Sequence, residues 1–184
     1  GAALTTGTNN VAIGASALSL LTTISNCTAV GNSTLPNCTG HSNTALGSFA
    51  GNAITTGTSN IAIGVSASGV STGIRNICIG PSAGASLGAG SSTVAVGYEA
   101  GRAATGNDNI CLGYQAGLTL TTGTNNILIG TGVDSDAVGT VNSIKIGFGA
   151  VASTTCKIQG IRGITIAGDG VGVSIDSTGQ LGTT

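Results

Sequence analysis

The chain repeats one short phrase of polar and apolar positions. A polar residue is followed by a β-forming apolar residue, a small residue, a second β-former and a glycine, as in Asn60-Ile61-Ala62-Ile63-Gly64. The phrase returns as NVAIG at 10–14, NTALG at 43–47, NICIG at 76–80 and TVAVG at 93–97. NICLG at 109–113, NILIG at 126–130 and SIKIG at 143–147 follow, and a weaker copy, CTAVG, sits at 27–31. The closing glycines Gly14, Gly31, Gly47, Gly64, Gly80, Gly97, Gly113, Gly130 and Gly147 are 16 or 17 residues apart throughout. Alternation of period two predicts a short, half-buried strand in each copy. The outer pair, such as Ile61 and Ile63, is expected to point into the coil, and the middle residue away from it.

Between the strands lie turn residues. TTGTNN occurs at 5–10 and 121–126, TTGTSN at 55–60 and TGNDN at 105–109. Gly and Asn accept positive φ, and Thr and Asn side chains satisfy turn backbone groups, so these are corners. The period is too short for a four-stranded blade and nothing in it has helical periodicity. The expectation is an all-β chain, a β-solenoid or β-roll of about nine coils of 16–17 residues over 1–150, each coil supported by its neighbours. Stacked at about 4.8 Å, nine coils would rise on the order of 43 Å. Gly14, Gly47, Gly80 and Gly113 are spaced by 33, as are Gly31, Gly64, Gly97 and Gly130, which marks a two-coil superunit. Residues 18–43 are the least regular stretch, and their unchanged glycine spacing predicts altered corners rather than a long insertion. Beyond Ala150 the repeat stops. Residues 151–184 are expected to form a small C-terminal β module with a turn at Gly168-Asp169-Gly170.

Composition narrows this further. The 184 residues include 33 glycines, with 2% aromatic and 6% charged residues, so a conventional Leu- and Phe-filled core is excluded. Mean hydropathy is +0.43, which removes the low-hydrophobicity signature of disorder. Small apolar residues with regular glycines suit tightly stacked coils around a narrow interior. A formal charge of −1 gives no basic field for nucleic acid, and no apolar run is long enough to span a membrane as a helix. Residues 1–10 match 51–60 in register, so the chain is expected to be a piece of a longer polypeptide.

The N-φ-A-φ-G repeats of residues 1–150 resemble the head of trimeric autotransporter adhesins, where NSVAIG-type repeats build a β-roll, and repeats of phage and giant-virus tail and fibre proteins. The coils here are two or three residues longer and carry cysteines. IQGIRGIT at 158–165 followed by IDSTGQLGTT at 175–184 resembles the segment just before a self-cleaving intramolecular chaperone of tail spikes and fibres. These resemblances imply a parallel homotrimer and a mature fibre shaft whose chaperone has been removed.

Candidate chemistry is sparse. Asp134-Ser135-Asp136 offers two carboxylates but no partner acid or basic clamp, so it is read as a solvated turn. His41 has no nucleophile arrangement around it, and no phosphate-binding or calcium-binding glycine motif occurs. No catalytic, cofactor or metal site is assigned, and the chain is read as a non-enzyme. Of the five cysteines, Cys78 and Cys111 occupy the middle strand position held elsewhere by Ala12, Ala45, Ala62 and Ala95. Two coils apart with Ala95 between, they are too distant for a disulfide and are expected to be small packing residues at a chain-to-chain contact. Cys27 and Cys38, both in the irregular stretch, could pair. Cys156 lies beyond the repeats. Glycosylation sequons occur at Asn26, Asn32 and Asn37.

The leading expectation is an extracellular structural fibre protein of a virion or cell surface, a homotrimer that attaches to a host or surface and is capable of stacking into a filament. A lone roll with few charges would expose broad apolar strips, and burying the Ala/Cys middle positions between chains is expected to remove them. One alternative is a free-standing adhesin or ligand-binding solenoid that grips a receptor through residues 18–43. The other is an ice-binding solenoid, because Thr6-Gly7-Thr8, Thr56-Gly57-Thr58 and Thr122-Gly123-Thr124 share a register; other coils hold Ser25, His41, Ile74, Ser91, Asn107 and Val141 at the second Thr position.

Overall fold

The computed structural model describes residues 6–19, 23–68, 72–134 and 139–147, with the backbone of two further strands at 173–175 and 181–183. Each repeat contributes one three-residue strand: β1 (Val11–Ile13), β2 (Thr28–Val30), β3 (Thr44–Leu46), β4 (Ile61–Ile63), β5 (Ile77–Ile79), β6 (Val94–Val96), β7 (Ile110–Leu112), β8 (Ile127–Ile129) and β9 (Ile144–Ile146). They form one parallel nine-stranded sheet in strict sequence order, and no helix occurs among the described residues. Register follows the repeat, so Ala62 pairs with Ala45 on one side and Cys78 on the other. This is the expected all-β solenoid. Counted as turns it is shorter than the nine coils expected, about seven.

The face assignment of the strands is reversed. The middle residues Ala29, Ala45, Ala62, Cys78, Ala95, Cys111 and Leu128 are completely buried inside the roll. The outer residues face away from it: Ile61, Ile63, Ile77 and Ile79 are half-buried, and Val11, Ile13, Leu46, Ile144 and Ile146 are exposed. The reason is space. A three-residue strand sends one side chain inward, and a second inward column already approaches it, made of Ala17, Thr34, Ala50, Ala67, Ala83, Ala100, Ala116 and Val133. Between two such columns Ala or Cys fits and a pair of β-branched side chains does not. Leu35, Ile54, Leu87 and Leu120 fill the wider end of the interior. In the last strand the inward position is Lys145, whose Nζ donates to the Asp134 carbonyl at 3.0 Å.

The closing glycines carry the sharpest backbone demand. Gly64 has φ +124° and Gly80 +127°, a region that L-residues with a side chain rarely enter. A second glycine column, Gly40, Gly57, Gly73, Gly90, Gly106 and Gly123, sits at the corner before each strand. There the reason is close approach: a Cβ on Gly73 would overlap the Gly90 carbonyl oxygen of the next coil.

The irregular stretch has altered corners, as expected. Leu18 and Leu35 take positive φ where later coils place Gly51, Gly84, Gly101 and Gly117. Both leucines are fully buried, so the interior is filled from a different point of the coil. Near the C-terminus, β10 (Val173–Ile175) and β11 (Leu181–Thr183) pair antiparallel. The turn at 168–170 and the rest of 148–172 lie outside the described residues, as does Cys156.

Candidate functional site

The polar residue that opens each repeat proves to be a buried inter-coil connector. Asn43, Asn60, Asn76, Asn109 and Asn126 are completely buried and stand in one column. Asn60 Oδ1 accepts the Asn76 amide at 2.9 Å, and its Nδ2 donates to the Gly73 carbonyl at 3.0 Å. Asn43 does the same to Asn60 and Gly57 at 2.9 and 2.8 Å, and Asn76 to Thr93 and Gly90 at 2.9 and 2.8 Å. At a corner the backbone turns away from the sheet ladder, and these amides satisfy the donor and acceptor of the next coil that the ladder does not reach. The residue preceding each amide, Asn9, Ser42, Ser59, Arg75, Asp108 and Asn125, holds a φ of 57–61°. Sequence reasoning registered this Asn only as a polar position; its recurrence before every strand of the sheet except those preceded by Cys27, Thr93 and Ser143 was the available signal.

Two of those departures matter. Thr93 is fully buried and its hydroxyl has no partner among the described residues. Cys27 replaces the amide with a thiol whose Sγ accepts the Asn43 amide at 3.4 Å and approaches the Gly40 carbonyl at 3.5 Å. Cys38, one coil on, lies 3.2 Å from the same Gly40 carbonyl and accepts from Asn43 Nδ2 at 3.2 Å. Both cysteines are free and buried, and their sulfurs converge on the same Gly40 carbonyl and the same Asn43. Donation from Cys38, helped by the Asn43 and Ser42 amides against the cost of burial, draws the Cys27 thiol down to about 7. The thiol of Cys38 is pushed up, first by donating to Cys27 and then by burial.

Cys78 and Cys111 are also free, and the register sets Ala95 between them as expected. The expectation that they lie at a contact between chains is overturned, because both side chains point into the roll and are completely buried. Burial pushes each thiol up to about 12, with the Asp134 charge adding to the effect at Cys111.

The surface feature with functional weight is the outer face of the sheet. Ile61, Ile77, Val94, Ile110 and Ile127 form one apolar column, and Ile63, Ile79, Val96, Leu112 and Ile129 a second. In β2 and β3 the first column turns polar, with Thr28 and Thr44. Beyond the closing glycines, Val65, Tyr98 and Tyr114 are exposed. The two tyrosine rings stack at 5.3 Å and 13°. Beside them Gln115 Nε2 donates to Glu99 Oε2 at 2.8 Å, and Arg102 pairs with Glu99 at 3.6 Å.

The remaining candidates are dispersed. His41 is exposed and its Nδ1 accepts the Ser25 amide at 3.0 Å. Asp134 Oδ2 accepts the Thr119 amide at 2.8 Å, while Ser135 and Asp136 lie outside the described residues. Among the described residues no group of three or more His, Cys, Asp or Glu side chains could hold a metal ion. Asn26, Asn32 and Asn37 are all exposed. No helix among the described residues is long and apolar enough to cross a membrane. Thr8, Thr58 and Thr124 stand in one column with Ser25, His41, Ile74, Ser91 and Asn107, joined by backbone hydrogen bonds such as Ser59 N–H to His41 C=O at 3.1 Å. No family model, curated protein or solved structure matches the chain.

Proposed function

We propose that the chain is a structural fibre protein, the solenoid protomer of a homotrimer displayed outside the cell on a virion or cell surface, where it serves attachment. The observation that carries this reading is the paired apolar column on the outer sheet face. From β4 to β8 its ten outward positions are all Ile, Val or Leu, with no charge among them. A strip of that length on a protein surface is costly in water and marks an interaction site. Because each strand adds about 4.8 Å, matching strips on neighbouring copies can pack along their whole length with the roll axes parallel. The repeat resemblance supports the same assembly. In this arrangement the contact is made by Ile, Val and Leu, not by the Ala/Cys positions, which are enclosed.

Native mass spectrometry and sedimentation equilibrium test the reading, using the wild-type chain and Ile110→Lys. A discrete trimer that the substitution converts to a folded monomer is the expected result. A wild-type monomer that keeps its fold would overturn it. An attachment role without trimerisation is the second reading, favoured by the exposed Tyr98–Tyr114 stack with its Glu99, Arg102 and Gln115 neighbours. Ice binding is disfavoured by the mixed column through Thr8, Thr58 and Thr124, which lacks an unbroken row of threonines.

A further inference from the structure

At six corners an asparagine ties its coil to the next by two hydrogen bonds; Thr93 and Ser143 stand in its place at two others, and at a further corner a thiol does. Cys27 stands there, in register with Asn43, and a sulfur makes longer and weaker bonds to the Asn43 amide and the Gly40 carbonyl than an amide does. The coil that has lost its connector is also the coil whose neighbour presents Cys38. No other corner among the described residues has a cysteine in either place. The two sulfurs touch the same residue, Asn43, and the same carbonyl, Gly40, from two successive coils.

We propose that Cys27 and Cys38 form a disulfide, a covalent tie between successive coils that replaces the amide bridge of the other corners. Both sulfurs lie within 3.5 Å of the one Gly40 carbonyl oxygen, so rotation of the two side chains can bring them to the roughly 2 Å of an S–S bond. The chemistry is thiol–disulfide exchange with a low-molecular-weight disulfide as oxidant. The Cys27 thiolate attacks one sulfur of the oxidant, forming a mixed disulfide and releasing one small thiolate. Cys38 then gives up its proton and attacks the Cys27 sulfur, releasing the second. Two protein thiols lose two electrons and two protons, and the oxidant becomes two small thiols. The Asn43 and Ser42 backbone amides favour the attacking thiolate at Cys27. Because both sulfurs are enclosed in the finished roll, the bond forms as the coil closes during folding. It is independent of whether the rolls associate.

The test is refolding of the full chain with oxidised glutathione, then alkylation under denaturing conditions, intact mass and peptide mapping. Two of the five cysteines should escape alkylation, and a peptide carrying Cys27 should be linked to one carrying Cys38. The melting temperature should fall by about 5–10 °C when reductant is added. Cys38→Ser should melt at the same temperature with and without reductant. Cys27→Asn restores the amide bridge, so it should fold and be equally insensitive, which keeps the test valid where the serine variant does not fold. Full alkylation of all five cysteines, or a link from Cys27 to any cysteine other than Cys38, overturns the proposal.

Discussion

Asn60 and Asn76 are joined across two coils by a 2.9 Å hydrogen bond from the Asn76 amide to Asn60 Oδ1, and the same side chain holds the Gly73 carbonyl. One residue thus serves a donor and an acceptor that are both out of reach of water. Asn60→Ala removes both bonds and leaves the two backbone groups buried without partners. We expect a loss of about 2–4 kcal/mol, measured by urea unfolding. A change within 0.5 kcal/mol, the usual scatter for a surface site, would sink the connector role.

Thr93 offers the reverse experiment. It occupies the amide column between Asn76 and Asn109 with an unpartnered hydroxyl. Asn60 spans a coil of the same length, reaching 16 residues on to the Asn76 amide and 13 on to the Gly73 carbonyl. Thr93→Asn should therefore reach the Asn109 amide and Gly106 carbonyl and add about 1 kcal/mol, seen as a higher urea midpoint with an unchanged slope.

Glycines of the roll should differ sharply in tolerance. Gly73→Ala drives a Cβ into the backbone carbonyl of Gly90, which the stacking holds in place. Gly88 has φ +59° and its nearest neighbour would be a Thr105 methyl at 3.5 Å, ordinary contact. Gly88→Ala should cost about 1–2 kcal/mol from backbone conformation alone, and Gly73→Ala appreciably more. Equal melting temperatures for the two variants would contradict the close-approach account.

Alkaline pH should loosen the interior. Cys78 and Cys111 are raised from 9.0 to about 12 in the fold, chiefly by burial. Their contribution is fully present below pH 9, where both states keep the thiol neutral. It is lost as pH rises from about 9 towards 12, because the unfolded chain ionises first and is favoured. Cys78→Ala and Cys111→Ala together should flatten the stability profile over that window in thermal melts, at a cost of about 1–2 kcal/mol at neutral pH for the space vacated.

The period, the strand positions, the parallel register and the altered corners of 18–43 were legible from sequence, because each depends on where glycines and β-formers fall. The facing of Ile61, Ala62 and Ile63 was not. Alternation states that neighbours lie on opposite faces, and it does not say which face is enclosed. The usual assumption that larger apolar residues go inside fails where the interior is narrower than a pair of isoleucines. The amide column escaped for a related reason: Asn is common in corners for its own turn geometry, so its burial at Asn43, Asn60 and Asn76 had no compositional mark. The Cys27–Cys38 contact was legible only as two cysteines in one irregular stretch. Their meeting depends on coil length, which sets Cys38 beside the coil that carries Cys27.

Strict register also bears on electrostatics. Every side chain on the roll has its counterparts directly above and below at about 4.8 Å, where two like charges in water repel by about 0.9 kcal/mol. Repetition of a charged residue would add that repulsion at every step of the stack. The chain separates its charges accordingly. Arg75 lies between Ser59 and Ser92, Asp108 between Ser92 and Asn125, and Glu99 between Ser82 and Gln115. Duplication of a coil copies its charges into line, so growth of such a protein by repeat addition favours neutral coils, and a chain with only 6% charged residues is what that history would leave.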